Sequence, residues 1–203
     1  IIANLQPLDI LLEKAPFRLT DYLIPGYWSH VALWSGTEEE LSKLGVWDEL
    51  PAIYNEAKET YHYSGPDFQD AIRNGHMVIE ALRPGVQINT LQHFLNIDDL
   101  GVIRYNDLTL ENKRSYLLNA FAQIGKSYDF NFDVESKNEI VCSELIYVSF
   151  DDLDWNTTKT VGRYTISPDN VAQNLAYDSF DAIILYLDGV EVADKINEIF
   201  PVK

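Results

Sequence analysis

The chain has 203 residues, 46% hydrophobic and 12% aromatic, enough to build one domain around a core that needs no covalent staples. Its 32 acidic residues against 15 basic ones give a formal net charge of −17, a field that repels polyphosphate, and no basic stripe with interleaved aromatics offsets it. That argues against nucleic acid as a partner; the single cysteine excludes an intrachain disulfide and a thiolate-rich metal site.

In chain order, Leu8 to Glu13 reads as a short strand and Phe17 to Ile24 as a helical stretch stopped by Pro25-Gly26. Ser29 to Ser35 is a second strand, with His30, Ala32 and Trp34 on one face and Val31 and Leu33 on the other. Thr37 with Glu40 three residues later has the form of a capping box opening a helix. Residues 48–75 are polar and aromatic, one or two helices broken at Gly65-Pro66, and are expected to be an insertion or lid within a single domain spanning 1–203. His76 to Leu82 and Val86 to Asn89 form a hairpin around Arg83-Pro84-Gly85, and Leu100 to Tyr105 is a further strand.

Leu110 to Ile124 is an amphipathic helix carrying Leu117, Leu118, Phe121 and Ile124 on one side. After a loop containing Tyr128-Asp129-Phe130, Ile140 to Phe150 reads as a buried helix. Ser167-Pro168 opens another helix, Ala182 to Leu187 is a last strand, and a short terminal helix follows. Helices and strands are partly segregated without βαβ alternation, so the fold class is α+β. No apolar run reaches the roughly 18 residues of a membrane span, which predicts a soluble chain. No Walker loop, dinucleotide fingerprint, HExxH or EF-hand loop is present, so neither cofactor nor metal is expected. The numbering opens at Ile1-Ile2-Ala3, from which no targeting signal is read.

Cys142 has two readings. A free cysteine commonly packs as a small buried hydrophobe. This one stands at the start of an apolar helix, where unpaired N–H groups and a partial positive charge favour a thiolate and suit an oxyanion. His30 is either a hydrogen-bonded structural residue or a base held by a rigid apolar strand, with His62, His76 and His93 as competitors. Glu80 interrupts the apolar run Val78-Ile79-Glu80-Ala81-Leu82; it points to water, or it faces His30 and fixes the imidazole tautomer. Glu144 reads as a first-turn acid that satisfies the helix dipole and turns away from the sulfur.

These residues stand within a set of ordered motifs: Leu5-Gln6-Pro7-Leu8-Asp9-Ile10-Leu11-Leu12, Ser29-His30-Val31-Ala32-Leu33-Trp34-Ser35-Gly36, Val78-Ile79-Glu80-Ala81 through Pro84-Gly85-Val86, Tyr128-Asp129-Phe130, and Val141-Cys142-Ser143-Glu144-Leu145. In this set the sequence resembles the circularly permuted branch of the NlpC-type papain-like superfamily, the YiiX/YaeF-like permuted papain-like amidases. The resemblance implies a papain-like antiparallel sheet or small barrel packed against helices, with the histidine ahead of the cysteine. It implies Cys142 as nucleophile, His30 as base and Glu80 as the residue orienting the histidine. Tyr128 then supports the thiolate or the oxyanion, its alternative being ordinary core packing. Leu8 departs from the family, which usually has Gly before Asp9-Ile10.

The expected activity is hydrolysis of an amide, of a peptide or cell-wall type, through a thioester. Two alternatives stand beside it: a lipid acyltransferase or lipid amidase, and a non-catalytic binding module that keeps the fold. For the lipid reading, Trp47, Tyr54, Tyr61, Tyr63 and Phe68 would line an apolar groove; for the others they are core. A lone thiol survives in reducing and oxidising compartments alike; a bacterial envelope or periplasmic setting is favoured over the cytoplasm. Oligomeric state is not legible.

Overall fold

The computed structural model describes residues 1–15, 26–128, 139–160 and 163–192. The helices expected at 17–24 and at the C-terminus lie outside the described residues, as do Asp129 and Phe130.

Among the described residues a nine-stranded sheet forms the frame, in the order β11-β10-β5-β1-β2-β3-β4-β6-β7. At its centre are β1 (Ile10–Lys14), β2 (His30–Trp34), β3 (His76–Leu82), β4 (Gly85–Thr90) and β5 (Asp99–Tyr105). One flank is β6 (Ser127–Tyr128) and β7 (Glu139–Ile140); the other is β10 (Phe180–Leu187) and β11 (Val190–Glu191). Every pairing in it is antiparallel except β6 with β7. A separate hairpin, β8 (Thr158–Thr160) with β9 (Arg163–Thr165), was not legible in the sequence pattern.

All five residues of β2 are buried, because both faces of the sheet are covered. Val31 and Leu33 join the larger core with Ile10, Leu12, Ile79 and Ile103. Ala32 and Trp34 join a smaller one with Leu11, Phe94 and Val102. The larger core is closed by α5 (Leu110–Phe121) and α6 (Cys142–Ser149), through Leu117, Phe121, Leu145 and Ile146. The smaller is closed by the short α4 (Leu91–Phe94), through Leu91 and Phe94.

Local signals set the remaining helices. The Thr37–Glu40 capping box forms on α1 (Glu38–Lys43): the Glu40 N–H donates to Thr37 Oγ1 at 3.3 Å and the Thr37 N–H to Glu40 Oε2 at 2.8 Å. Between Trp47 and Arg73 lie a 3-10 turn, α2 (Leu50–Tyr61) and α3 (Phe68–Arg73), separated at Gly65-Pro66 as the sequence predicts. Ser167 caps α7 (Pro168–Ala172) through the Asn170 N–H at 3.1 Å.

The aromatics of the 48–75 segment and its flank all pack on the larger core. Trp47 and Phe68 are buried, and Tyr54 packs edge-on against Phe68, whose ring lies 5.8 Å from Phe121. Full burial of a side chain this size contributes about 1.5–3 kcal/mol, so these rings anchor the helices to the sheet's core. Tyr61 and Tyr63, the latter 5.7 Å from the Phe68 ring, also line a cavity of about 520 Å3 together with Pro66 and the β4 residues Gln87 and Asn89.

Candidate active site

The site is assembled at the ends of three elements. His30 is the first residue of β2 and lies in register with Glu13 of β1. The β2–β3 ladder runs from Trp34/Val78 to Ala32/Glu80 and stops there, two residues short of His30. Glu80 is therefore a diagonal neighbour of His30 on the same face, within reach of a long side chain. Its Oε2 accepts a hydrogen bond from His30 Nε2 at 2.9 Å, and its Oε1 accepts one from Asn89 Nδ2 at 2.9 Å. His93 Nε2, on α4, stands 3.9 Å from the same Oε1. The Phe94 ring packs against the imidazole with centroids 6.0 Å apart.

Cys142 opens α6. The start of that helix is held from several sides: the Val141 N–H donates to Glu144 Oε2 at 2.9 Å, and Ser143 Oγ donates to the Ile166 carbonyl at 2.6 Å. Glu144 thus turns back to the backbone before the helix, as a first-turn acid should. Leu145 and Ile146 bury the helix on the sheet.

Strand alternation sends His30 to the Ala32/Trp34 face, whereas Cys142 belongs to the core on the other face. They meet because both lie at element ends, where the sheet has parted. Burial alone would discharge the imidazole. Together, the neighbouring Cys142 sulfur, the Glu80 hydrogen bond and the Glu13 charge outweigh it and hold the ring well above the ordinary histidine pKa. Burial likewise opposes a charged Glu80, but His30, Asn89 and His93 keep its carboxyl below the usual glutamate value. Relative exposures are 6% for His30 and 2% for both Glu80 and Cys142, so these groups interact with little water between them. With Nε2 committed to Glu80, Nδ1 is the ring nitrogen left for another partner.

Tyr128 lies on β6, in register with Ile140, two residues before Cys142, and its N–H donates to the Pro84 carbonyl at 3.0 Å. It is buried in the core that contains Cys142. Of the competing histidines, His62 and His76 go elsewhere, while His93 stands beside Glu80. His62 ends α2 in a left-handed conformation, and the His76 ring lies 3.3 Å from the Ile88 carbonyl.

A histidine early in the chain meeting a cysteine at a later helix start, over an antiparallel sheet, is a papain-like arrangement in permuted order. The sequence profile of the permuted papain-like amidase enzymes, YaeF/YiiX, matches residues 4–195. The chain belongs to this family. The crystal structure of metalloprotein yiiX from Escherichia coli O157:H7 superposes with a TM-score of 0.56 at 15% identity, covering 88% of this chain and 96% of that one. At that identity the likeness establishes the fold. No curated protein matches the chain. Its kinship with the amidases makes it a cysteine-type amide hydrolase in general terms.

The family's usual glycine before Asp9-Ile10 now has a physical reason. Leu8 has a φ of 76°, in the left-handed region that glycine enters at no steric cost. Here a leucine side chain, 2% exposed, occupies core space at that strained position. The yiiX protein of that crystal structure is described as a metalloprotein. Among the described residues no group of three or more His, Cys, Asp or Glu side chains is disposed to hold a metal ion.

Two participants escaped the sequence reading. Glu13 closes an apolar run as Glu80 interrupts one, the same signal of a buried carboxylate. Asn89 follows from the hairpin: a turn pairing Leu82 with Gly85 sets Glu80 against Gln87 and brings Asn89 to the diagonal.

Proposed function

We propose that the chain hydrolyses an amide bond through a thioester on Cys142, with His30 as base and Glu80 as the residue that orients it. The observation that carries this reading is the imidazole standing between a buried carboxylate and the sulfur at a helix start. His30 Nε2–H donates to Glu80, which leaves the Nδ1 lone pair for the thiol proton. The sulfur attacks the carbonyl carbon, and the oxygen takes up negative charge against the first-turn N–H groups of α6. Removing one such donor typically costs about 2.7–4 kcal/mol of barrier stabilisation. The C–N bond breaks as His30 hands its proton to the leaving amine. Water, deprotonated by His30, then attacks the thioester; the acid leaves and the proton returns to sulfur. Tyr128, packed beside the start of α6, supports the sulfur or the oxyanion through its neighbours.

A peptide or a related small amide is the substrate class. The amidase kinship supports it over an acyl chain; beside β4 lies a cavity of mixed lining, with Tyr61, Tyr63 and Val86 as well as His62, Gln87 and Asn89. In this reading residues 48–75 form a helical insertion that builds one side of that cavity. A binding module without turnover has no use for a buried base tied to a carboxylate and a thiol. The test offers acyl amides, short γ-linked peptides and phospholipids side by side and weighs the intact protein. A peptide-derived acyl adduct on Cys142, absent in Cys142→Ser, is the expected result. An adduct formed from phospholipid alone gives the lipid reading the site, and alkylation of Cys142 by iodoacetamide only at alkaline pH removes the enzyme reading.

A further inference from the structure

The geometry points to Asn89 as a positioning residue of this site, holding Glu80 so that one chosen carboxylate oxygen faces His30; the inference rests on the role of Glu80 proposed above. A glutamate's terminal torsion is broad and roughly two-fold, so a carboxylate in a cavity does not select its own orientation. Glu80 is 2% exposed, and water therefore does little to set it. What sets it is a division of labour: Asn89 Nδ2 at 2.9 Å on Oε1, His30 Nε2 at 2.9 Å on Oε2.

The two donors come from different strands on opposite sides of β3. His30 arrives from β2 and Asn89 from β4, so the carboxylate is stretched across the middle strand between them. The residue directly opposite Glu80 is Gln87, yet the hydrogen bond runs to the diagonal Asn89, whose shorter amide approaches Oε1 from the side away from His30. Without that amide, Oε1 is left to His93, which is 3.9 Å away with a side chain 58% exposed. A carboxylate turned towards His93 and solvent is drawn off the imidazole, and a loosened imidazole no longer presents Nδ1 squarely to the sulfur. Asn89 touches neither the sulfur nor the reacting carbonyl in this scheme; it acts through Glu80.

The experiment is a double-mutant cycle read by the pH profile of Cys142 alkylation with iodoacetamide. Asn89→Leu, which keeps the volume and removes the donor, is expected to slow alkylation at pH 6 about tenfold and move the profile to higher pH. Glu80→Gln should move it in the same direction and further. The combined variant should be no slower than Glu80→Gln alone, because the two act in one chain. Asn89→Ser, too short to reach Oε1, should reproduce Asn89→Leu and serves in its place if the leucine variant does not fold. A purely structural asparagine would lower the melting temperature and leave the profile where it was. If Glu80→Gln moves the profile while a folded Asn89 variant does not, or if the two effects multiply, the assignment of Asn89 is overturned and the reading of Glu80 stands. If neither moves it, Glu80 does not orient the base and both fall.

Discussion

The two ends of β1 each bury a carboxylate, and they are built to opposite purposes. Before its first residue, Asp9 is fully buried and takes a two-pronged contact from Arg104, with Nε on Oδ1 at 2.6 Å and Nη2 on Oδ2 at 2.8 Å; the Gln6 N–H adds a third bond at 2.7 Å. Burial pushes the Asp9 carboxyl up in spite of these partners, while Arg104 is held charged beyond arginine's ordinary value. The cation there never gives up its proton, and the planar fork fits the carboxylate in a single geometry. Near the other end, Glu13 and Glu80 flank a histidine whose proton affinity the neighbouring Cys142 sulfur raises. Burial is similar at the two ends, and hydrogen bonding is dense at both. The difference is that one partner's proton is fixed and the other's can move, and only a mobile proton serves acid–base chemistry.

That contrast can be broken from either side. The largest effect is expected at the sulfur: Cys142→Ser should abolish both acyl-adduct formation by mass and steady-state amide turnover, with the fold intact by circular dichroism. Next comes His30→Ala, which removes the mobile proton and should lower turnover by about 10²–10⁴-fold, a general base's usual contribution. At the Asp9 end the pattern should invert. Arg104→Met strands a buried carboxylate and should cost about 3–5 kcal/mol in urea unfolding. The rate of Cys142 alkylation in the protein that remains folded should be unchanged. Adding Asp9→Asn should recover part of that loss, because the stranded charge is what costs most. A large fall in alkylation in Arg104→Met would show that the two ends are coupled and would end the distinction.

Much of this division was legible in the residues. The apolar runs of β2 and β3 placed His30 and Glu80 on strands, and the hairpin between β3 and β4 set Gln87 opposite Glu80. Ile140 to Phe150 was readable as buried, but the helix begins at Cys142, because Ile140 pairs with Tyr128 in β7 first. What stayed hidden was distance across the chain. No spacing rule reports that β1 lies between β5 and β2, so the pairing of Asp9 with Arg104 and of Glu13 with His30 emerges only from strand order. The short strands β6, β8 and β9 carry two or three residues each, too few for any periodicity to declare itself.

The smallest expected effect is also the one that sharpens the comparison most. His30 is held above the ordinary histidine value of 6.5, so the folded state binds its proton more tightly than the unfolded chain does. The stability this contributes is complete below pH 6.5 and drains away as pH rises through the folded value. Glu80 is held below 4.5, so its contribution is complete above pH 4.5 and is lost as pH falls through its folded value. Both are present together only between those limits. In urea unfolding, the advantage of the wild type over His30→Gln should therefore be greatest between pH 4.5 and 6.5 and shrink towards alkaline pH. Each tenfold difference in proton affinity corresponds to about 1.4 kcal/mol. Arg104 supplies no such slope, since it keeps its charge throughout this range. An advantage that grows as pH rises would mean that the folded protein prefers the neutral imidazole. His30 would then be a weaker base than free imidazole, unable to draw the thiol's proton as the proposed chemistry requires.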